Sequence, residues 1–425
     1  MTRLESAKRG IVSPEILQVA KAEGLDPQNL RREIAAGRVV LVGNSGRLGR
    51  PLAIGKGLPV RVNANIGSSD TCGGVAAELE KAEAAIKAGA DALMDLSTGR
   101  DIREIRRRIL EACPVAVGTV PLYEAMAEQS AGGLPMADLS GDQMLEAVSR
   151  HVRDGVDFVT VHCGIRQRHL KYLGARSMGV VSRGGSFLAE WMRRRDEENP
   201  YFSRFDELLN ILKEKDVTLS LGDALRPGAI ADAGDRAQYA ELGKLVKRAR
   251  AAGVQTIVEG PGHVPLHQVR AQVRRAKRLC SGAPFYILGP LVTDSAAGYD
   301  HIAGAIGGAL AAMEGADFLC YLTPREHLGL PELEHVLDGV AASKVAAHAA
   351  DIARGNQAAI KRDGLMSGAR LALDWEGQFA AALFPERARS LFTQAKDGGA
   401  CSMCGELCSA RRAATVATVA KETEK

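Results

Sequence analysis

The sequence predicts an α/β protein. Its centre is a TIM-like (β/α)8 barrel at residues 58–330, after a small helical domain at 1–57 and before C-terminal helices with a cysteine-bearing tail at 331–425. Three observations predict it. Short β-rich runs alternate with longer Ala/Glu/Lys/Arg-rich helical runs over roughly 270 residues, the pattern of a parallel sheet with helical crossovers. That length suits a closed barrel better than an open sheet. Each β-rich run also finishes in polar residues or glycine, as strands do when their ends converge on one functional face.

The elements follow in chain order. Ser13-Pro14-Glu15 sets a cap residue before a proline at the first helical position, and Asp26-Pro27 repeats the signal before QNLRREIAAG, which Gly37 ends. The stretch 1–55 therefore reads as helical and polar. Strand candidates then run at 59–67, 91–99, 115–123, 157–164, 178–185, 217–223, 255–262, 284–291 and 317–324, nine candidates for eight places. Runs such as AAELEKAEAAIKAGA and AELGKLVKRARAAG supply the helices between them. The Ala/Gly-rich stretch Ile302–Met313 is too short for a membrane span and reads as a buried helix. Residues 331–400 return to helices, and the end of the tail reads as polar and frayed.

Composition narrows the function. Hydrophobic content of 46% and charged content of 25% are those of a soluble globular protein. A net charge of +4 is too mild to argue for nucleic acid and is compatible with an anionic small substrate. The opening MTRLESAKRG carries charge at once and no apolar run, so a cytoplasmic protein without a signal peptide is expected. Its eight cysteines are then expected to stay reduced.

The strand ends are chemically varied: Asn65, Asp95, Tyr123, His162, Ser182-Arg183, Asp223 and Glu259. Any one of them can be a loop cap or a satisfied core group. Seven in succession, mixing acid, base, amide and phenol, point to a shared site at the carboxyl end of the barrel.

Five cysteines are scattered, and three are clustered as Cys401, Cys404 and Cys408 in CSMCGELC. With no fourth cysteine nearby, three thiolates leave one iron of a 4Fe–4S cluster open to chelate S-adenosylmethionine (SAM), whose reductive cleavage yields a 5′-deoxyadenosyl radical. A zinc knuckle completed by a histidine is the structural alternative. The spacing, two residues then three at the far end of the chain, is not the common radical-SAM spacing.

At this point the residues resemble a family. NANIG (63–67), MDLSTG (94–99), GTVP (118–121), VSRGGS (181–186), EGPGHVP (259–265), APFYILGPL (283–291), GYDHI (298–302), TPREHLGLP (323–331), KVAAHAADIA (344–353) and the terminal cysteines are similar to the ThiC family over almost the whole chain. The resemblance implies a radical SAM carbon–carbon lyase acting on 5-aminoimidazole ribotide. It places Asn65, Met94, Tyr123, His162, Ser182, Arg183, Gly184, Asp223, Arg226, Glu259 and Tyr286 on substrate-binding positions. It places His263 and His327 on the ligands of zinc or a similar divalent metal, and Cys401, Cys404 and Cys408 on the cluster. It also implies a homodimer and an electron donor such as flavodoxin or ferredoxin. Chemistry agrees: Arg183 with the Gly184-Gly185 amides suits a phosphate, and imidazoles suit a borderline metal.

Three departures from the family pattern bear on the product. The chain has Ala224 within GDALRPG, Ser295-Ala296-Ala297 within TDSAAGYDH, and LVGNSG at 41–46 in place of a proline-bearing segment. If these flank the substrate, they reshape the pocket and select 5-hydroxybenzimidazole, a cobamide lower-ligand precursor. The alternative product is 4-amino-5-hydroxymethyl-2-methylpyrimidine phosphate, for thiamine. Readings from other classes are a metal-dependent barrel hydrolase using His263 and His327 with structural cysteines, and a non-catalytic cluster protein. Anaerobic absorbance near 400 nm and SAM-dependent methionine release separate these classes.

Overall fold

The computed structural model describes residues 1–47, 51–69, 72–99, 101–234, 237–394 and 399–413. The chain divides into two compact units, Met1–Ala350 and Asp351–Lys425.

The first unit holds the expected barrel. Two strands, β1 (Val39–Val42) and β2 (Leu52–Gly55), precede it. Its own strands are β3 (Arg61–Ile66), β4 (Ala92–Asp95), β5 (Ala116–Thr119), β6 (Phe158–Val161), β7 (Thr218–Leu221), β8 (Thr256–Glu259), β9 (Phe285–Leu288) and β10 (Phe318–Cys320). They pair in parallel in chain order, and β10 closes the ring by pairing with both β9 (Leu319 with Ile287) and β3 (Leu319 with Val62). Most of these strands are buried along their whole length, as parallel strands covered by helices must be. Inside the barrel Phe158 meets Phe318 edge-on and Tyr286 lies tilted against Phe318, with ring centroids 6.3 Å and 4.4 Å apart in turn. Gly118 is required there, because a Cβ at that position would overlap the Phe158 ring.

Of the nine strand candidates, 178–185 is the one outside. Gly179 sits at φ +62, which breaks an extended run, and Ser182 caps the helix Arg183–Arg195 by accepting from the Gly185 amide. The β-branched pair Val180-Val181 is left too short to form a strand. Tyr123 also differs from expectation. Pro121 starts the helix Pro121–Ala131, so Tyr123 lies in its first turn and not at a strand end.

The N-terminal segment is not purely helical. The helices Arg3–Lys8, Pro14–Glu23 and Pro27–Ala35 are capped by Thr2, Ser13 and Asp26 as their sequences dictate. The run Val39-Val40-Leu41-Val42 then forms an antiparallel pair with β2, because four consecutive apolar, mostly β-branched residues favour a buried strand. Ile16, Leu30, Ile34, Val39 and Leu41 share one core. This segment is tied to the base of the barrel. The Leu41 amide donates to Gln255 Oε1 at 2.8 Å, Gln255 Nε2 donates to the Leu41 carbonyl at 3.0 Å, and Asn44 Nδ2 donates to the carbonyls of Val152 and Val156. The segment 41–46 therefore lies at the amino ends of the strands, away from the candidate site, contrary to the expectation that it flanks substrate.

The helix Asp300–Met313 is buried on one face only. Gly304, Gly307 and Gly308 pack inward, while Ile302 and Ile306 are 47% and 49% exposed. Among the described residues no helix is long and apolar enough to cross a membrane.

The second unit contains the helices Gln357–Ala372, Trp375–Ala381 and Pro385–Leu391. Trp375 and Phe379 both pack on Phe392, and Arg389 lies over Phe379 while pairing with Glu376. The cysteine loop starts from an antiparallel bridge between Gln394 and Cys401, and the Ser402 amide donates to the Thr393 carbonyl at 2.9 Å. Residues 414–425, read from sequence as a frayed end, lie outside the described residues.

Candidate active site

The carboxyl ends of the barrel strands open on a cavity of about 230 Å³. Nine of the eleven residues placed on substrate positions by resemblance line it: Asn65, Met94, Tyr123, His162, Arg183, Asp223, Arg226, Glu259 and Tyr286. Ser182 and Gly184 do not line it. They shape its wall instead, Ser182 as the helix cap and Gly184 as the backbone against which His162 rests.

His162 is held between two glycines. A Cβ on Gly184 would sit 2.6 Å from the ring's Cε1 and Nδ1, and a Cβ on Gly222 would sit 2.9 Å from its Cδ2. Burial, with the nearby Arg226 charge, pushes the imidazole down to about 3, so it is neutral at physiological pH. Its Nδ1 is buried without a hydrogen-bond partner in the protein.

Charge is concentrated at one side. Arg226 donates to Asp223 at 2.8 Å, and Glu259 and Glu326 complete the acidic wall. Thr160 and Ser220 hydroxyls each donate to Glu259 Oε1 at 2.6 Å. Burial, reinforced by Asp223, nevertheless pushes the Glu259 carboxyl up to about 7, and burial also raises Asp223 against the pull of Arg226. A carboxyl near 7 can donate or accept a proton at neutral pH. Arg183 lies over the Tyr123 ring at 4.9 Å, a cation–π contact within the cavity wall.

The amide wall is hydrogen-bonded in series. Asn63 Nδ2 donates to Asn65 Oδ1 and lies 2.9 Å from the Tyr286 hydroxyl, and Asn65 Nδ2 donates to Cys320 Sγ at 3.0 Å. This chain joins β3, β9 and the end of β10, so the polar atoms of three strands are pre-set relative to one another.

Arg183, the first residue of the helix Arg183–Arg195, lines the cavity with its positive charge. The expectation that both glycine amides are available needs correcting: the Gly185 amide already donates to Ser182 Oγ at 3.2 Å.

His263 and His327 come from the loops after β8 and β10, and closure of the barrel brings their ring centroids to 5.4 Å. The Gly262 carbonyl and the Val264 amide both bond Leu291, which continues the β8–β9 pairing past the strand end and fixes the backbone of His263. Two imidazoles this close suit a borderline divalent ion.

Cys401, Cys404 and Cys408 are free thiols within one tight loop. The Gly405 amide donates to the Cys401 carbonyl, the Leu407 amide to that of Cys404, and the Cys408 amide to that of Gly405. Gly405 at φ +50 makes the turn. Among the described residues, only Glu332, Glu334 and His335 bring three potential ligand atoms within 4.8 Å of one another.

Thr160, Cys320 and Glu326 line the cavity and were missed from sequence. Thr160 has the same inward parity as His162 two residues on, Cys320 ends the last strand, and Glu326 precedes His327; those were the signals available. The departures at Ala224 and Ala297 do not line the cavity. Ala224 is 2% exposed and packs its backbone behind Gly185, while Ala297 faces solvent.

Comparison with known sequences agrees with the resemblance. The family model described as the radical SAM ThiC family matches residues 2–415. A phosphomethylpyrimidine synthase of Thermus thermophilus is 54% identical over 416 residues, covering 96% of this chain and 95% of that protein. The proteins of the same name from Desulfitobacterium hafniense and Methanopyrus kandleri are each 52% identical, over 417 and 419 residues, covering 96% of this chain and 96% and 97% of theirs. Among solved structures, a Coxiella burnetii dihydropteroate synthase matches with a TM-score of 0.42 and 14% identity over 74% of this chain and 98% of that one.

Proposed function

We propose, since the chain belongs to the radical SAM ThiC family, that it converts 5-aminoimidazole ribotide to 4-amino-5-hydroxymethyl-2-methylpyrimidine phosphate. The observation that carries the reading is half-identity over nearly the whole chain to proteins named phosphomethylpyrimidine synthase. The benzimidazole product favoured from the sequence departures loses its support, because Ala224 and Ala297 lie outside the cavity wall and the segment 41–46 lies at the other end of the barrel.

The donor sets suit the groups this activity needs. Cys401, Cys404 and Cys408 would hold a 4Fe–4S cluster, and His263 with His327 would hold zinc or a similar ion. When bound, the cluster and SAM together supply one-electron chemistry. The chain's own residues then bind and orient the substrate. Arg183 and the helix N-terminus beneath it take the phosphate by charge. His162, neutral and lining the cavity, meets the imidazole or ribose. Asn65 and Tyr286 meet the ribose hydroxyls from the pre-set amide wall. Asp223 and Glu259 face the exocyclic amine, and Glu259, poised near neutrality, holds or releases a proton at Oε2. Tyr123 and Met94 cover the heterocycle. A homodimer and a flavodoxin- or ferredoxin-type donor belong to the same reading.

The test is anaerobic reaction of the reconstituted protein with aminoimidazole ribotide and SAM, followed by mass analysis. The phosphorylated pyrimidine is expected. Formation of 5-hydroxybenzimidazole with release of phosphate would overturn the product assignment, and absence of SAM-dependent methionine release would overturn the reaction class.

A further inference from the structure

The two histidines are flanked by two carboxylates from a single short segment. His263 Nδ1 lies 2.8 Å from Asp294 Oδ1, and His327 Nδ1 lies 3.3 Å from Asp300 Oδ1. A carboxylate only accepts, so His263 presents its Nδ1–H to Asp294 and keeps Nε2 for a ligand, while Asp300 stands beside the same nitrogen of His327 at ion-pair distance. The histidines reach this point from the loops after β8 and β10. Both acids come from the stretch Asp294–Asp300, which follows β9, the strand between them.

Each acid is itself placed by backbone. The Ile230 amide donates to both oxygens of Asp294, at 3.0 Å and 3.2 Å. Asp300 begins the helix Asp300–Met313, where the helix end favours a negative charge, and it is 3% exposed. Its Oδ2 is nevertheless buried with no hydrogen-bond partner in the protein, so the helix end satisfies this acid only in part. Between the two acids the chain turns tightly: Gly298 has φ +85, and the Tyr299 amide donates to the Ala296 carbonyl at 2.7 Å.

We propose that Asp294 and Asp300 are positioning residues, and that the segment 294–300 acts as one bracket setting both imidazoles, through Nδ1, for a shared divalent cation. The inference rests on the reading of His263 and His327 as that ion's ligands. A carboxylate on Nδ1 fixes the tautomer and ring plane and makes Nε2 the stronger donor, and loss of such a partner typically weakens metal affinity about 10–100-fold. The bracket also gives the unusual Ser295-Ala296-Ala297 a location with a consequence. These residues lie between the two acids, where they set the spacing of the ligands' supports without touching the cavity.

The experiment uses the full-length protein with Cys401, Cys404 and Cys408 replaced by Ser, so that the tail cannot take the ion; this reference protein, called wild type below for its histidines and acids, is stripped of metal and titrated with Zn2+ against a chromophoric chelator, and separately with Co2+ to read the visible ligand-field bands. Wild type is expected to bind one ion. His263→Ala and His327→Ala are expected to lose it. Asp294→Asn and Asp300→Asn are expected to keep the one-ion stoichiometry, bind about 10–100-fold more weakly and shift the Co2+ bands. Ser295→Ala, on the same segment, is expected to bind as wild type does. If both Asn variants bind with wild-type affinity and spectrum while the histidine variants lose the ion, the bracket is refuted and the ligand assignment stands. If wild type binds no ion, or the histidine variants keep it, the ligand assignment falls and the bracket with it. Should Asp300→Asn not fold, because its acid is buried at a helix end, Asp294→Asn decides alone.

Discussion

The hydroxyl of Thr160 donates to Glu259 Oε1 at 2.6 Å, reaching from β6 past β7 to the end of β8. Despite this bond and a second from Ser220, burial holds the Glu259 carboxyl at about 7. The native protein therefore keeps this proton above the pH, about 4.3, at which the unfolded chain releases it. Stability from this group is fully present below about 4.3 and is lost as pH rises through about 7.

Glu259→Gln should accordingly flatten the pH dependence of stability. Asp95, pushed up by burial to about 6, slopes the same way in both proteins, so the comparison reads Glu259 together with Asp223, the carboxyl beside it. In thermal melts from about pH 5 to about pH 8, wild type should lose stability relative to the variant as pH rises. Parallel curves would show that Glu259 titrates normally. The variant should also lose most activity, since it can no longer exchange a proton.

Gly184→Ala should damage the site more than the fold. Its Cβ would sit 2.6 Å from the His162 ring, which must move to make room. Overpacking of this kind typically costs about 1–3 kcal/mol. The KM for aminoimidazole ribotide should rise, because the displaced ring no longer meets the ligand. A variant with wild-type KM and kcat would show that His162 does not contact substrate.

Cys404→Ala should abolish cluster assembly and SAM cleavage while leaving the fold unchanged. Cys404 is exposed and belongs to no apolar core, so its loss removes a ligand and little packing. Iron analysis, absorbance near 400 nm and circular dichroism read the three outcomes. A variant that binds a full iron complement and still cleaves SAM would exclude the tail as the cluster site.

Ala224→Gly combined with Ala297→Pro should leave the product unchanged. Ala224 supports Gly185 from behind, and Ala297 faces solvent. Mass analysis of the double variant's products should show the wild-type product and a modest fall in rate. A second product appearing only in the double variant would show that these loops steer the radical after all.

The sequence by itself determined the barrel, because strand length, helix length and polar strand ends are local properties that repeat along the chain. Nine of the residues named by the family resemblance line the cavity, because the motifs that carry the resemblance include them as contiguous stretches of sequence. Local chemistry further marked the helix caps at Ser13 and Asp26. What it left undecided depends on contacts between distant segments. The ninth strand candidate had no place in the barrel, because the ring is already closed by β10 on β3. Thr160 and Glu326 entered the cavity through the direction of their side chains once the ring had formed. The significance of Ala224, Ala297 and the segment 41–46 changed for the same reason. Nearness in sequence to a site residue does not fix which way a side chain faces, and only the packed barrel separates its two ends. The pairing of His263 with Asp294, and of His327 with Asp300, is a tertiary fact of the same kind: three successive loops meet only where the strands between them lie side by side.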